Sequence, residues 1–453
     1  MPFVRAAGRR LSHSTPRDVS VPPNFTPENL EIVFLSFEGP DQPYSQAGGL
    51  GVRVAQFTRS LARQGFNTHL VFVGDPDRPG YEVQEEGRLH LHRWCQWLSG
   101  HHRGGVYEAE IEKVHDFQDS VPAHVTFAIA APAVGEGRSV VVMAEEWHTA
   151  DALSRLSDSL HFNGIRQNCV LVWNANNDMS FNRMNWDRIG YVAGFAAVSK
   201  YVKHQMWDCG VNPVVIPNGV PEERLATVDP DAVAAFRRAM DCDLWFFKIG
   251  RTDPDKGWLE AVEAVHRLRD QGVNARLVIK PGAYEAHGDE VYRHMVWRGL
   301  ERAEVATEDR SVAGIATALG AAPEAAVLDL RFFVPDEVLP VFYAAADGAL
   351  ANSGYEPFGL VGLEAMAAGG IAYVGSTGED YARPLQNCVV LDDAADPDEI
   401  VRFALQLKDD QALNASIRSG ARRAAELFTW EAVTPIFLTR MSHLAAGQDM
   451  VVG

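Results

Sequence analysis

The sequence predicts an α/β protein made of two doubly wound domains in series. Short runs rich in Val, Ile and Phe alternate with longer helical stretches, which is typical of parallel sheets with crossover helices. The alternation restarts after a charged segment with two prolines, residues 221–243. The length of 453 residues exceeds one compact domain and suits two of roughly 200 residues each.

In the first half, five runs are predicted as buried strands, because continuous apolar character is expected where helices cover both faces of a sheet. These runs are residues 31–37, 68–74, 139–144, 169–175 and 194–199. Residues 50–66 are predicted as a helix, since Leu50, Val54, Phe57 and Leu61 form one apolar stripe.

In the second half, the predicted strands are residues 244–250, 275–280, 326–333, 348–352, 370–375 and 388–392, and the predicted helices include 256–271 and 359–368. The predicted organisation is a flexible tail (1–27), a first domain (28–220), a connection (221–243), a second domain (244–427) and a C-terminal segment (428–453). Ligands of doubly wound folds bind beyond the carboxyl ends of the strands, so we expect the site in a cleft between the domains.

The composition narrows the functional class. With 41 Lys and Arg against 60 Asp and Glu, the formal charge is −19, which repels nucleic acid. The five cysteines form no C-x-x-C pair, which favours reduced thiols in the cytoplasm. No apolar run reaches ~18 residues, so no integral membrane segment is expected. Residues 1–27 lack the apolar region of a secretory signal and are predicted as a mobile tail, with a transit peptide as the alternative. A homodimer is left open.

The segment "GYEPFGLVGLEA" places Glu356 and Glu364 eight positions apart. Pro357 suits the first position of a helix, whose N-terminal amides would form an anion site. Those amides would belong to Phe358, Gly359 and Leu360. Helical rise would separate the two glutamates by about 12 Å, with Glu356 accepting from sugar hydroxyls and Glu364 from a ribose diol. The alternative is a capped helix with Glu364 facing water.

Two cations follow a predicted strand in "KIGRTDPDKGWLEAV". Arg251 and Lys256 come just after Gly250, where a guanidinium fork and an ammonium could neutralise a diphosphate leaving group. The alternative is two solvated surface cations.

The segment "SQAGGLGVRVAQF" opens a helix with three glycines, including Gly48 and Gly49. Glycine permits close approach of a ligand to the backbone, and a helix N-terminus favours phosphate. The pattern is not G-x-G-x-x-G, so a dinucleotide site is disfavoured, and a tight turn is the alternative.

Histidines occur in two settings. His148 lies just past a predicted strand in "VVMAEEWHTADAL", where it could donate to a hydroxyl or stabilise charge, although a helix cap is the alternative. "LHLHRW" and "SGHHRGG" hold four more histidines without a carboxylate or cysteine at a metal-site spacing. They predict an incidental surface strand and no metal site.

Together these segments resemble the retaining glycosyltransferases of family 4, the group related to bacterial glycogen synthases and to sucrose and trehalose synthases. Glu356 and Glu364 match the family's E-x7-E signature. Further similar segments are GGLG (48–51), EEWHTA (145–150), VIPNGV (215–220), GRTDPDKG (250–257) and residues 428–441, in the family's order over residues 30–445. The sequence departs from the family at Gln46, where glycogen synthases carry Lys, and at Glu146, where Asp is usual.

The resemblance implies a GT-B fold, in which two Rossmann-like domains face each other across a cleft and a C-terminal helix crosses back to the first domain. It implies a metal-independent hexosyltransferase that uses a nucleotide diphosphate sugar, with UDP-glucose the leading expectation, and no further cofactor. The implied catalytic residues are His148, Arg251, Lys256 and Glu356, and the implied nucleotide-sugar-binding residues are Gly48, Gly49, Phe358, Gly359, Leu360 and Glu364.

Aromatic residues within 170–189 either line the acceptor side or belong to the core. Three other functions stay open: a retaining disaccharide phosphorylase, a nucleotide-sugar epimerase and a non-catalytic sugar-binding protein.

Overall fold

A computed structural model of the protein describes residues 23–45, 48–282 and 286–448. Within these residues, the structure confirms two α/β domains, each built on a mostly parallel sheet. The first sheet has the strand order β3-β4-β2-β1-β5-β6-β7-β8, and the second has the order β11-β12-β10-β9-β13-β14-β15.

The strands of the first sheet are β1 (Leu30–Leu35), β2 (Asn67–Val73), β3 (Tyr81–Gln84), β4 (Leu89–Trp94), β5 (Ser139–Glu145), β6 (Cys169–Ala175), β7 (Gly194–Ala197) and β8 (Val214–Val215). Only the pairing of β3 with β4 is antiparallel among these described strands. The strands of the second sheet, all parallel, are β9 (Leu244–Gly250), β10 (Ala275–Pro281), β11 (Arg302–Val305), β12 (Val327–Leu330), β13 (Gly348–Ala351), β14 (Ala372–Val374) and β15 (Val389–Val390).

Helices cover both faces of each sheet, which explains the apolar strands. Those of the first domain are α1 (Gln42–Ser45), α2 (Gly49–Arg63), α3 (Gln96–His101), α4 (Glu110–His124), α5 (Ala131–Gly135), α6 (Ala150–Phe162), α7 (Trp186–Val192) and α8 (Lys200–Asp208). Those that follow are α9 (Pro230–Met240), α10 (Trp258–Asp270), α11 (Ala286–Trp297), α12 (Val312–Gly320), α13 (Leu339–Ala345), α14 (Leu360–Ala367), α15 (Pro397–Asp409), α16 (Gln411–Ala425) and α17 (Trp430–Gly447). A π-helical turn, Val125–Ala130, joins α4 to α5.

The segment 89–94 was expected to be a surface strand, and that expectation is wrong. It forms β4, an internal strand between β3 and β2, and His92 is buried. His69 Nδ1 lies 3.0 Å from His92 Nε2, and His92 Nδ1 lies 3.1 Å from His124 Nε2. His90 Nε2 lies 2.8 Å from Asn67 Oδ1. Both histidines of "LHLHRW" are therefore hydrogen-bonded to neighbours that are distant in sequence, a feature that local spacing does not reveal.

The predicted boundaries need two adjustments. Residues 230–240 of the predicted connection form α9, in which Phe236 packs on Phe342 with ring centroids 4.8 Å apart, so this half of the connection belongs to the second domain. Residues 1–22 of the predicted tail, and Gln46, lie outside the described residues. Phe25 is buried and Ser442 donates a hydrogen bond to the carbonyl of Pro23, so the packed chain begins before residue 28.

Helix α17 crosses back to the first domain, as the resemblance implied. Trp430 stacks on Phe57 of α2 at a centroid distance of 4.7 Å, and Phe437 packs between Phe57 and Phe34. These contacts bury the apolar stripe of α2 that the sequence predicted.

Contacts between the domains bring the carboxyl edges of the two sheets together. Tyr355 donates a hydrogen bond to Asp178 Oδ1 at 2.5 Å, and the backbone amide of Lys200 donates to Asp380 Oδ2 at 2.9 Å. Two segments of the first domain thus contact the second domain beside the stretch that holds Glu356. In the part of the chain that the structure describes, no helix combines the length and the apolar character needed to cross a lipid bilayer.

Candidate active site

The predicted leaving-group cation and the predicted sugar-binding carboxylate are in direct contact. Lys256 Nζ donates to Glu356 Oε2 at 3.2 Å and lies 3.3 Å from Asp255 Oδ2. Burial by itself lowers the pKa of Lys256, but the neighbouring carboxylates of Glu356 and Asp255 raise it above its ordinary value. Lys256 is therefore a charged group at pH 7, held beside Glu356 although the two are 100 positions apart.

Arg251 is the more open of the two cations. Its side chain is 62% exposed and pairs with Asp253 at 2.8 Å. It lies next to a cavity of about 230 Å³ at the carboxyl ends of β9, β10 and β12, which Thr252, Lys280, Gly282, Tyr292 and Arg331 help to line. A Cβ placed on Gly282 would lie 3.3 Å from Arg251 Cα, so the two loops are in contact.

Helix α14 begins later than predicted. It starts at Leu360, after Gly359 in a left-handed conformation with φ of +83°, so Pro357 is not its first residue. The hydroxyl of Tyr381 donates to the carbonyl of Gly359 at 2.6 Å, and the amide of Gly378 donates to the carbonyl of Glu356 at 2.9 Å. These contacts hold the Glu-Pro-Phe-Gly stretch outside the helix.

This late start corrects two expectations. The side chain of Phe358 is buried against Tyr381 and Phe428, two residues before the helix, so its amide is not part of the helix N-terminus. The first helical amides are those of Leu360, Val361 and Gly362. The 12 Å spacing assumed a continuous helix, and that assumption does not hold between Glu356 and Gly359.

Glu364 lies in the middle of α14. Burial raises the pKa of its carboxyl, which accepts a hydrogen bond from Tyr343 at 3.2 Å. The hydroxyl of Tyr343 thus fixes the carboxylate that was predicted to bind a ribose. No sequence signal connects Tyr343 with this role, since it comes from the preceding helix α13.

The glycine loop of the first domain faces α14. Gly48 caps α2 and Gly49 is its first residue; a Cβ placed on Gly49 would lie 3.9 Å from Leu360 Cδ1. The amide of Gly51 donates to Glu38 Oε2 at 2.8 Å. A carboxylate of the protein therefore already occupies part of the N-terminus of α2, and sequence reasoning missed Glu38.

His148 is buried at the carboxyl end of β5. Its ring stacks on Phe37 with centroids 4.3 Å apart, and Nε2 lies 2.9 Å from Glu110 Oε1. Nδ1 has no hydrogen-bond partner among the residues that the structure describes. Burial lowers the pKa of His148 despite the nearby carboxylate of Glu110. The ring is therefore neutral at pH 7, and if Nε2 carries the proton donated to Glu110, Nδ1 is left as an acceptor.

The residues before His148 adopt an unusual conformation. Glu146 is buried with φ of +62°, a region that costs a non-glycine residue about 1–3 kcal/mol. Burial raises its pKa to about 8, and its Oε1 accepts from the amide of Asn176 at 2.6 Å. The preceding residue, Glu145, forms a fully buried ion pair with Arg53 at 2.6 Å. The EEWH segment is thus held by Arg53 of α2 and by the backbone just after β6.

A second carboxyl lies beside Glu356. Glu379 is buried, and its Oε2 accepts from the amide of Thr377 at 3.0 Å. Its Oε1 has no hydrogen-bond partner within the described part of the chain. Burial and then the nearby charge of Glu356 raise the pKa of Glu379 to about 7. The sequence analysis did not single out Glu379; its position after β14, at the same sheet edge as Glu356, is the signal that could have found it.

The aromatic residues within 170–189 belong largely to the core. Trp173 is 1% exposed and packs edge to face against Trp186, which in turn packs against Phe181. No group of His, Cys, Asp and Glu side chains suited to hold a metal ion is found in residues 23–45, 48–282 and 286–448.

Comparisons with known proteins give matches to parts of the chain. Residues 322–424, which include both glutamates, match the family model of the group 1 glycosyl transferases. The chain is 33% identical over 121 residues to mannosylfructose-phosphate synthase of Agrobacterium fabrum, covering 26% of each protein. It is 27% identical over 269 residues to a GDP-mannose-dependent alpha-(1-6)-phosphatidylinositol dimannoside mannosyltransferase of Mycobacterium tuberculosis, covering 58% of this chain and 59% of the relative. These matches span a quarter to three fifths of the relatives' own lengths.

The fold similarity is more extensive. Sucrose-phosphate synthase from Thermosynechococcus elongatus superposes with a TM-score of 0.67 and 18% identity, covering 92% of this chain and 100% of that structure. At that identity the likeness concerns the fold, and it confirms two domains in the GT-B arrangement. The chain therefore has the GT-B fold, and residues 322–424 within it are similar to the group 1 glycosyl transferases.

Proposed function

We propose that the protein transfers a hexosyl group from a nucleotide diphosphate sugar to an acceptor hydroxyl, with retention of configuration at the anomeric carbon. Glucose from UDP-glucose is the leading expectation for the group transferred. The match of residues 322–424 to the group 1 glycosyl transferases supports transfer of a sugar. The E-x7-E resemblance supports retention.

The observation that carries the proposal is the contact of 3.2 Å between Lys256 and Glu356. A cation suited to a phosphate and a carboxylate suited to sugar hydroxyls meet just before the N-terminus of α14, and the glycine loop of the first domain faces that terminus through Gly49 and Leu360. A nucleotide diphosphate sugar presents the matching groups in the same order: hydroxyls, phosphates and ribose. In this proposal Glu364, further along α14, accepts hydrogen bonds from the ribose.

The chemistry follows from where charge develops. As the bond between the anomeric carbon and the phosphate oxygen breaks, negative charge grows on the diphosphate and positive charge grows on the sugar. Arg251, Lys256 and the first amides of α14 would stabilise the diphosphate, and such preorganised electrostatics is usually the largest catalytic contribution. The acceptor oxygen forms its bond on the face that the diphosphate leaves, and its proton passes to the departing phosphate oxygen.

In this proposal protein cations, and not a divalent metal ion, neutralise the negative charge on the departing diphosphate. Turnover should therefore persist in EDTA. A loss of activity in EDTA that Mg²⁺ or Mn²⁺ restores would contradict the metal-independent form of the proposal.

The nucleotide and the sugar are tested together. A thermal-shift panel of UDP, ADP, GDP and TDP should raise the melting temperature with one nucleotide above the others. GDP belongs in the panel because one relative is named for a GDP-mannose donor. Incubation of the corresponding labelled nucleotide sugar with pooled acceptors should then give a glycosylated product, and the anomeric coupling in its NMR spectrum should match that of the donor.

Three results would count against the proposal. Stabilisation by none of the nucleotides would remove the donor site. Sugar release that requires inorganic phosphate and no nucleotide would favour a phosphorylase, and an inverted anomeric centre would exclude retention.

A further inference from the structure

A buried lysine lies beneath the candidate site. Lys248 is in β9, two residues before Gly250, and is 3% exposed. Its ammonium donates to the carbonyl of Leu350 at 3.0 Å and to Asn352 Oδ1 at 2.7 Å. Among the residues described, none supplies a carboxylate at ion-pair distance. Burying an ammonium without such a partner is costly, so an aliphatic residue at this position would favour stability.

Asn352 carries this contact onward to the cation loop. It is fully buried, and its Nδ2 donates to the carbonyl of Gly257 at 3.0 Å. Gly257 has φ of +65°, and a Cβ placed on it would lie 2.1 Å from the carbonyl oxygen of Asn352. Only glycine allows the two segments to approach this closely.

The other end of the loop is anchored by the same cluster. The indole of Trp258 donates to the carbonyl of Arg251 at 2.7 Å, and the ammonium of Lys248 lies 5.2 Å from the centre of the Trp258 ring, within the range of a cation–π interaction. On the opposite side, Ser353 follows Asn352 and donates to Glu356 Oε2 at 3.2 Å. One ammonium thus touches the supports of both loops.

We propose that Lys248 is a positioning residue for the donor site: its ammonium holds the segment 251–257, with Arg251 and Lys256, against the segment 352–356, with Glu356. This inference rests on the proposed function, and it extends that function to a side chain that touches neither sugar nor phosphate. The two segments carry the opposite charges that must meet one ligand, so a shared buried anchor fixes their separation.

The charge of Lys248 gives the role a measurable signature. Burial lowers its pKa to about 7, the carboxylate of Glu260 opposes this shift, and the ammonium of Lys256 adds to it. Lys248 therefore loses its charge as the pH rises through neutrality. The phosphates of a nucleotide sugar have no ionisation of their own in that range, so a change in affinity there reports on the protein.

Two variants test the proposal. Lys248→Met keeps the length of the side chain and removes the donor, and Asn352→Asp keeps an acceptor for Lys248 while removing the donor to Gly257. Without any ligand, both should raise amide hydrogen exchange in residues 251–257 about tenfold, the scale of one lost buried hydrogen bond. Leu407→Ala, which truncates a buried residue of α15, is the control for a general loss of stability.

The second readout is the affinity for UDP-glucose, with GDP-mannose as the alternative probe, between pH 6 and pH 8.5. The wild type should bind more weakly as the pH rises. Lys248→Met should bind about tenfold more weakly at pH 6 and lose the part of the pH dependence that comes from Lys248, while the part that comes from Glu379, whose pKa is about 7, should remain in both proteins. Exchange in 251–257 that matches the wild type in both variants would overturn the positioning role. Increased exchange with unchanged affinity would overturn its connection to the donor site while leaving the proposed function intact. If the wild type binds neither probe, the proposed function fails and this inference fails with it.

Discussion

Replacement of Lys256 by alanine is the most direct test of the candidate site. The ammonium lies 3.2 Å from Glu356 Oε2, and a phosphate oxygen of a bound donor would occupy a comparable distance. At that separation a unit charge pair is worth about 5 kcal/mol at an effective dielectric constant of about 20. The diphosphate already carries negative charge before the reaction. Only the additional charge that develops on it in the transition state, roughly half an elementary charge, lowers the barrier. That increment is about 2.5 kcal/mol, or about 70-fold in kcat.

The assay is release of nucleoside diphosphate at saturating donor, with the acceptor found by product analysis. Lys256→Ala should lower kcat about 70-fold and weaken donor binding in addition, because the ammonium also attracts the ground-state phosphates. Arg267→Ala removes a cation from the far end of the helix that follows Lys256, where Arg267 pairs with Asp398, and should leave kcat unchanged. Near-normal turnover in both Lys256→Ala and Arg251→Ala would refute the assignment of these cations to the leaving group.

Three further predictions concern stability and specificity. Burial and the nearby imidazoles of other histidines lower the pKa of His92 to about 3, whereas a histidine in the unfolded chain has a pKa of about 6.5. Because the unfolded chain then binds a proton that the folded protein does not, the free energy of unfolding measured in urea should fall as the pH is lowered from about 6.5 to about 5. His92 should contribute up to about 1.4 kcal/mol per pH unit, so the fall should be less steep in His92→Phe. A Cβ on Gly359, where φ is +83°, would lie 2.8 Å from the Tyr381 hydroxyl, whereas a Cβ on Gly369, where φ is +73°, meets open space. Gly359→Ala should therefore lower the free energy of unfolding more than Gly369→Ala does, and equal losses would contradict the contact with Tyr381. Glu364→Gln should reduce the preference for UDP over 2′-deoxy-UDP in calorimetric titrations, and an unchanged preference would exclude Glu364 from the ribose site.

The sequence predicts the frame of this molecule well because its strands are buried on both faces. β6 and β9 coincide with their predicted bounds, residues 169–175 and 244–250, since a continuous apolar run between polar turns leaves little choice of register. The edge strand β15 keeps only Val389–Val390 of the predicted 388–392, because pairing on one side ends where the neighbouring strand ends.

The candidate site was only partly accessible to sequence reasoning. Sheet topology brings Lys256 and Glu356 to one edge, and this follows from placing each after a parallel strand. The start of α14 was misplaced because Pro357 satisfies the local rule for a first helical residue, while the contact from Tyr381 to Gly359 overrides it. Glu38 and Glu110 were missed because their partners, the amide of Gly51 and the imidazole of His148, come from other segments and leave no mark on local spacing. Glu379 accepts from an amide only two residues away, and its place after β14 is the one sign of its position at the site.

The pairing of Lys256 with Glu356 has a consequence for the choice of ligand. An arriving phosphate that draws the ammonium away from Glu356 leaves that carboxylate without its counter-charge. A ligand without hydroxyls therefore binds more weakly, because leaving the carboxylate unpaired costs free energy. A ligand that brings hydroxyls together with its phosphate satisfies both partners at once. In the proposed reaction a nucleoside diphosphate is therefore held less tightly than the intact nucleotide sugar, although it still binds, and the re-forming ion pair helps to release it once the sugar has been transferred.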